Sequence, residues 1–200
     1  MAFLSIAVEA DLAARYWSRK APSPLPAGLR FLLRVPRPLT AFHNALLAMP
    51  RERVLEVGPG LGQNAVAVAR WLQPGGRLDV LDVQQPMLDA TMARARAEGV
   101  ENIVPTLADA SGTLPYEDAT FDAAYMLHVL GEVADRDQVL RELRRVLKPD
   151  GRLVVGELLI DPDFVRLAEL ERVAGEAGFR MEARHGPAFY YHARLVKDAL

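Results

Sequence analysis

A short run of one acid and three glycines carries the clearest chemistry in the chain. In VLEVGPGLG, residues 54–62, Glu56 precedes Gly58, Gly60 and Gly62, which are set two apart. Glycine loses conformational entropy on folding and is kept where φ must be positive or where another group approaches the main chain closely. A turn of this kind at the start of a helix also offers unpaired backbone amides to an anion or a hydrogen-bonding group. Pro59, between two of the glycines, fixes φ and stiffens the turn. A second group with chemical potential stands in MLHVLGEV, where His128 and Glu132 are candidates for taking a proton from an oxygen, nitrogen or acidic carbon.

The elements that must position these residues alternate. ERVLEV reads as a short strand, and GQNAVAVARWLQPGG as a helix stopped by Pro74, Gly75 and Gly76. RLDVLD is a second strand, after which Pro86 sits where a first helical turn tolerates it and the helix runs to Gly99. NIVPTLA is a third strand, and Pro105 assigns it to an edge or a bulge. FDAAYML is a fourth. The segment DRDQVLRELRRVLKPDG, with Val139, Leu140, Leu143, Val146 and Leu147 at helical spacing, is a helix that begins with capping acids and ends in a Pro-Asp-Gly turn. GRLVVGELLI is nearly all apolar, as a central strand covered on both faces should be. A helix from about Asp163 to Ala177 leads to a closing hairpin, on which Tyr190, Tyr191 and His192 read as sheet side chains. The expected fold is therefore α/β: a Rossmann-like open sheet, mostly parallel with an antiparallel C-terminal hairpin strand and helices on both faces.

In such a sheet, ligands collect beyond the carboxyl ends of the strands, where the glycine turn lies. Dinucleotides and S-adenosylmethionine compete for it. The dinucleotide fingerprint needs a third glycine at its sixth position, and counting from Gly58 that position is Gln63. The pattern Glu56, Gly58, Gly60, Gly62 instead resembles the first motif of class I S-adenosylmethionine-dependent methyltransferases, and the resemblance continues in order from Arg53 to about Ile160. It implies S-adenosyl-L-methionine as cofactor. By the same resemblance Asp82 holds the ribose hydroxyls, a task that suits a carboxylate because it accepts two hydrogen bonds from a vicinal diol. Val83 and Met87 follow, with Met87 packed on adenine, while Asp109 receives the adenine amino group and Ala110 supplies a backbone contact. Glu56, Gly58, Pro59, Gly60, Gly62 and Leu127 complete the implied cofactor contacts. Asp82 and Asp109 each have a plainer reading, as a turn cap and an Asx turn.

Composition narrows the rest. Lys and Arg number 24 against 26 acids, for a formal net charge of −2, so no global field points to nucleic acid. There is no cysteine, and His43, His128, His185 and His192 lack the close spacing of a metal pair, so no metal is expected. The opening residues have no basic leader before their apolar part, and no apolar run is long enough to span a bilayer, which is read as cytoplasmic. From Leu12 to Arg51 there are seven basic residues and no acid. Residues 1–50 are thus expected to form a basic helical extension, either lying on the core with its arginines solvated or acting as a lid or substrate lip with transient contact to a lipid surface. Residues 51–200 are expected to form the cofactor-binding domain.

The function expected is methyl transfer to a small-molecule acceptor, apolar or quinone/lipid-like, since the resemblance includes the ubiquinone and menaquinone branch. A non-catalytic S-adenosylmethionine-binding or interaction protein and an NAD-linked oxidoreductase are the alternatives.

Overall fold

The first strand owes its position to being apolar on both sides: Val54 and Leu55 are both fully buried, one on each face of a sheet. The computed structural model describes residues 39–198. In chain order its elements are α1 (Leu39–Leu46), β1 (Arg53–Val57), α2 (Gln63–Trp71), β2 (Arg77–Asp82), α3 (Gln85–Ala97), β3 (Ile103–Leu107), β4 (Phe121–Leu127), α4 (Arg136–Val146), β5 (Leu147–Leu158), α5 (Leu167–Glu176), β6 (Phe179–His185) and β7 (Tyr190–Lys197). The strands form one sheet in the order β3-β2-β1-β4-β5-β7-β6. All neighbours are parallel except β7, which runs antiparallel to both β5 and β6. The mostly parallel sheet with its antiparallel hairpin strand is the expected architecture.

Each face carries its own core. Phe42, Val66, Leu72 and Leu88 from α1, α2, the end of α2 and α3 pack with Val54, Val80, Tyr125 and Val154. On the other face Val139, Leu143, Leu170 and Val173 from α4 and α5 pack with Leu55, Met126, Val155 and Leu195. The alternation of Val54 with Leu55, and of Tyr125 with Met126, is the period-two consequence of burying both sides of a parallel strand. Strand β3 is the edge strand that Pro105 requires. Of the expected basic extension, residues 1–38 lie outside the described residues. Within its remainder α1 packs into the core through Phe42, Ala45 and Leu46, and Arg152 ties its carboxyl end to β5 by donating to the Leu46 and Leu47 carbonyls and to Glu52.

Two boundaries differ from expectation. The Pro-Asp-Gly turn lies inside β5, because Leu147 already pairs with Phe121 before the turn and Arg152 pairs with Ala123 after it, leaving the residues between as a bulge. Helix α5 starts at Leu167 rather than near Asp163. Its expected first turn is spent elsewhere: the Val165 amide donates to Glu157 Oε2 and its carbonyl accepts from the Tyr191 hydroxyl at 2.7 Å.

Strand order reverses between β1 and β4, since the chain moves out to β2 and β3 and then returns to the far side of β1. The loops after β1 and β4 therefore open a crevice at the carboxyl edge. At the opposite edge the fully buried Asp79 carboxylate accepts bidentate pairs from Arg53, at 3.0 and 3.0 Å, and from Arg77, at 2.9 and 2.5 Å. We expect Asp79→Ala to cost about 1–3 kcal/mol in urea unfolding, less than the ~3–5 of a fully buried pair, because both guanidiniums are part-exposed and can turn to water. A change below a few tenths would remove this pair from the determinants of stability.

Candidate cofactor site

The β1 ladder continues one residue past the strand, where the Gly58 amide donates to the Leu81 carbonyl at 2.8 Å, and then the chain turns. Gly58, Gly60 and Gly62 have φ of +71°, +56° and +75°, the left-handed region that favours glycine. Their surroundings divide the labour. A Cβ on Gly58 would meet the Val129 side chain at 2.5 Å, and one on Gly62 would meet the Thr91 backbone at 2.8 Å. One on Gly60 would meet nothing within 4 Å among the described residues. The outer two glycines let the β4 loop and helix α3 approach, and the middle one faces open space. Gly62 stands at the cap position before helix α2 and no side chain caps it, so the first amides of the helix remain directed toward the turn. Thr91 Oγ1 donates to the Gly60 carbonyl at 3.2 Å and Arg94 Nε to the Leu61 carbonyl at 2.8 Å, which fixes the loop from α3. Pro59 is buried beneath it.

Glu56 lies under this turn. Register places it between Val80 on β2 and Tyr125 on β4. It is 2% exposed, and Oε2 has no hydrogen-bond partner among the described residues. Burial pushes its carboxyl up to about 8, with the charge of Asp82 adding to the shift and the adjacent Tyr125 hydroxyl opposing it. That hydroxyl stands close but without well-formed hydrogen-bond geometry. A buried carboxylate short of partners is costly unless a positive group completes it.

Asp82 ends β2, half-buried, and its Oδ1 accepts the Gln84 amide at 2.8 Å, so it does cap the turn. Desolvation raises its pKa, opposed by the Gln84 and Val83 amides. Val83 is exposed and Met87 buried, on the turn and first helical turn that follow. Asp109 is exposed and forms the Asx turn, with Oδ1 accepting the Ser111 amide at 2.8 Å. Ala110 beside it is buried in the core. Farther along that loop, Glu142 accepts the Leu114 amide, and Arg145 donates to the Leu114 and Tyr116 carbonyls and to Asp118.

Leu127 is the half-buried end of β4. His128 follows with φ of +61°, unusual for a side chain of its size, and its amide donates to the Gly156 carbonyl at 2.8 Å. Its Nδ1 stands 4.0 Å from Asp161 Oδ2. The Glu132 carboxyl is pushed up to about 7 by desolvation and by the charges of Asp161, Asp163 and Asp82. Much of Glu132 meets solvent, so repulsion among the acids is the firmer of these causes.

The fold thus brings Glu56, the glycine turn, Asp82, Leu127 and His128 to one sheet edge. Thr91, Arg94, Val129 and Tyr125 were not read from the sequence, and they act by holding the turn and flanking Glu56. Asp161 and Glu157 were also missed, although an acid inside the apolar run LVVGELLI is a visible anomaly. The geometry fits a ligand that is positive where it meets Glu56 and passes close to main chain at Gly60. S-adenosylmethionine has that character through its ammonium and sulfonium groups.

Comparison with known proteins agrees. The methyltransferase domain family matches residues 55–155. A 37.1 kDa protein of transposon TN4556 from Streptomyces fradiae is 42% identical over 162 residues, covering 78% of this chain and 45% of that protein. A demethylmenaquinone methyltransferase from Lactobacillus johnsonii is 33% identical over 116 residues, covering 58% and 48%. The chain spans about half the length of the curated relatives it matches. The crystal structure of an S-adenosylmethionine-dependent methyltransferase from Aquifex aeolicus has the same fold, with a TM-score of 0.71 at 18% identity, over 83% of this chain and 96% of that one. The chain belongs to the methyltransferase domain family.

Proposed function

We propose that this chain transfers a methyl group from S-adenosylmethionine to a small-molecule acceptor with an apolar, quinone- or lipid-like body. The observation that carries the reading is the buried Glu56 carboxyl, unpartnered at Oε2 among the described residues and set beneath a glycine turn whose middle residue meets none of them. In this reading Glu56 receives the cofactor's ammonium group, directly or through the turn. Gly58, Pro59, Gly60 and Gly62 line its amino-acid part. Asp82 takes the ribose hydroxyls with the acceptor capacity that Gln84 leaves unused, since a carboxylate has about four lone-pair sites. Val83, Met87, Asp109 and Ala110 surround adenine, and Leu127 covers the cofactor from β4. The apolar acceptor class is supported by the exposed Leu159, Ile160 and Phe189 near the β5 end, and by the demethylmenaquinone methyltransferase among the relatives.

When bound, S-adenosylmethionine supplies a methyl group already activated by its positive sulfur. The protein's work is then to orient and to exclude water, and holding two reactants in attack geometry is worth about 7–11 kcal/mol. The rigid glycine turn provides that on the cofactor side. A proton acceptor adds about 10²–10⁴-fold where the acceptor atom must lose a proton. His128, beside Asp161, and Glu132 are the candidates for that place, both just past the end of β4.

Three results check the reading by calorimetry with S-adenosylhomocysteine and by urea unfolding. Asp82→Ala should weaken binding by about 1.5–3 kcal/mol, the worth of a charge-assisted contact; unchanged affinity removes Asp82 from the sugar. Gly60→Val should abolish binding with the fold retained at a modest stability cost, since φ of +56° strains a β-branched side chain, whereas Gly62→Val should destabilise the fold further through the Thr91 backbone. Normal binding by Gly60→Val would show that no ligand crosses the turn. Glu56, raised to about 8 in the folded state, binds a proton there that the unfolded chain has already lost. Stability of the ligand-free protein should therefore be fully present below the usual carboxylate range and fall as pH rises toward 8. The slope from Glu56 approaches ~1.4 kcal/mol per pH unit, and Glu56→Gln should remove that share. A slope that is the same in both proteins would contradict the assignment.

A further inference from the structure

Strands β4 and β5 end side by side, and the segments after them gather Glu132, Glu157, Asp161 and Asp163 next to His128. These segments touch: a Cβ on Gly131 would fall 1.8 Å from the Asp163 carbonyl oxygen. The charges of Asp161 and Asp163 act on Glu132, and those of Asp161 and Glu132 act on Glu157. Arg136 acts on Glu157 and Asp163, but its guanidinium donates to the Leu130 and Gly131 carbonyls at 3.2 and 3.3 Å. Glu157 is 1% exposed; Oε2 accepts a long bond from the Val165 amide at 3.4 Å, and Oε1 has no hydrogen-bond partner among the described residues. A second buried carboxyl group is therefore incomplete, at the carboxyl end of β5. Leu159 and Ile160 continue directly from it, both exposed, and the exposed Phe189 joins them through the Leu159 amide, which donates to its carbonyl at 2.8 Å.

We propose that the methyl acceptor is an apolar amine, whose hydrocarbon body lies on Leu159, Ile160 and Phe189 and whose ammonium group is drawn among Glu132, Glu157 and Asp161. The proposal rests on the methyltransferase reading above and narrows its acceptor. A protonated amine completes Glu157 with a charge-assisted hydrogen bond. An ionised quinol of the same body would instead bring a negative oxygen against the Asp161 and Asp163 carboxylates and offer no positive group to Glu132 or Glu157, a repulsion that grows where water is excluded. The reaction balances within the site. The ammonium gives one proton to the Glu132 carboxylate, its freed lone pair forms the new nitrogen–carbon bond, and the methyl–sulfur bond breaks with its electron pair leaving on sulfur. Glu132 then returns the proton to water.

The test uses the full chain with S-adenosylmethionine and three probes: octylamine, octanol and a hydroquinone bearing an octyl tail, with products followed by mass spectrometry. Octylamine should be methylated with kcat/KM at least about tenfold above the other two. Glu157→Gln and Glu132→Gln should each lower that value by about tenfold, while S-adenosylhomocysteine binds as it does to the unsubstituted protein. Preference for the hydroquinone, no amine turnover with cofactor bound, or amine turnover indifferent to both substitutions would each overturn the amine assignment and leave the methyltransferase reading standing. Failure of the unsubstituted protein to bind S-adenosylhomocysteine would overturn that reading instead.

Discussion

The register of β1 between β2 and β4 is the constraint on which the site depends. It sets Glu56 beside Tyr125, on the face covered by α1, α2 and α3, and delivers Gly58 to the point where its amide can still reach the Leu81 carbonyl before the chain turns. A slip of one residue would send Glu56 to the opposite face and carry the apolar residues around it the wrong way. Because Val54 and Leu55 are fully buried on opposite faces, both cores resist that slip. The strand that looks least chemical therefore decides where the chemistry can be.

Electrostatics at the two ends of the sheet follow opposite rules. At the amino edge of β1 and β2, the buried Asp79 is fully met by two guanidiniums, and it stabilises. At the carboxyl edge, Glu56 and Glu157 are buried with an oxygen left over, and Glu132 stands among like charges. Sites that disagree with the rule that buried polar groups are satisfied are where function is expected, because the missing partner is supplied by a ligand. The contrast within one sheet makes the acids at the crevice hard to assign to folding alone.

Placement of the turn is shared by residues that never need to touch a ligand. Thr91 and Arg94, three apart on α3, hold the Gly60 and Leu61 carbonyls, so the helix that follows β2 grips the loop that follows β1. Arg145 on α4 gathers the loop that carries Asp109, through carbonyls several residues farther on. His128 is kept in an uncommon backbone conformation by the bond from its amide to Gly156 on β5. In each case a helix or neighbouring strand removes the freedom of a loop, and preorganisation of this sort keeps a reacting group in place.

The order and type of nearly every element were legible along the chain, because apolar period and turn residues are local signals. VLEVGPGLG announced its turn, Pro105 its edge strand, and DRDQVLRELRRV its capped amphipathic helix, with Asp135 accepting the Gln138 amide. The same signals also marked Glu56, Asp82 and His128 as residues at strand ends. What surrounds them follows from the folded arrangement of distant segments. That Gly58 and Gly62 serve packing while Gly60 faces open space depends on Val129 and Thr91, which are 71 and 29 residues away from those glycines, taking 129 − 58 and 91 − 62. That Val165 is spent on Glu157 and Tyr191, delaying α5, depends on β7 inserting between β5 and β6. Local spacing encodes backbone conformation, but burial and the company of a charge are set by which distant segments the sheet brings together.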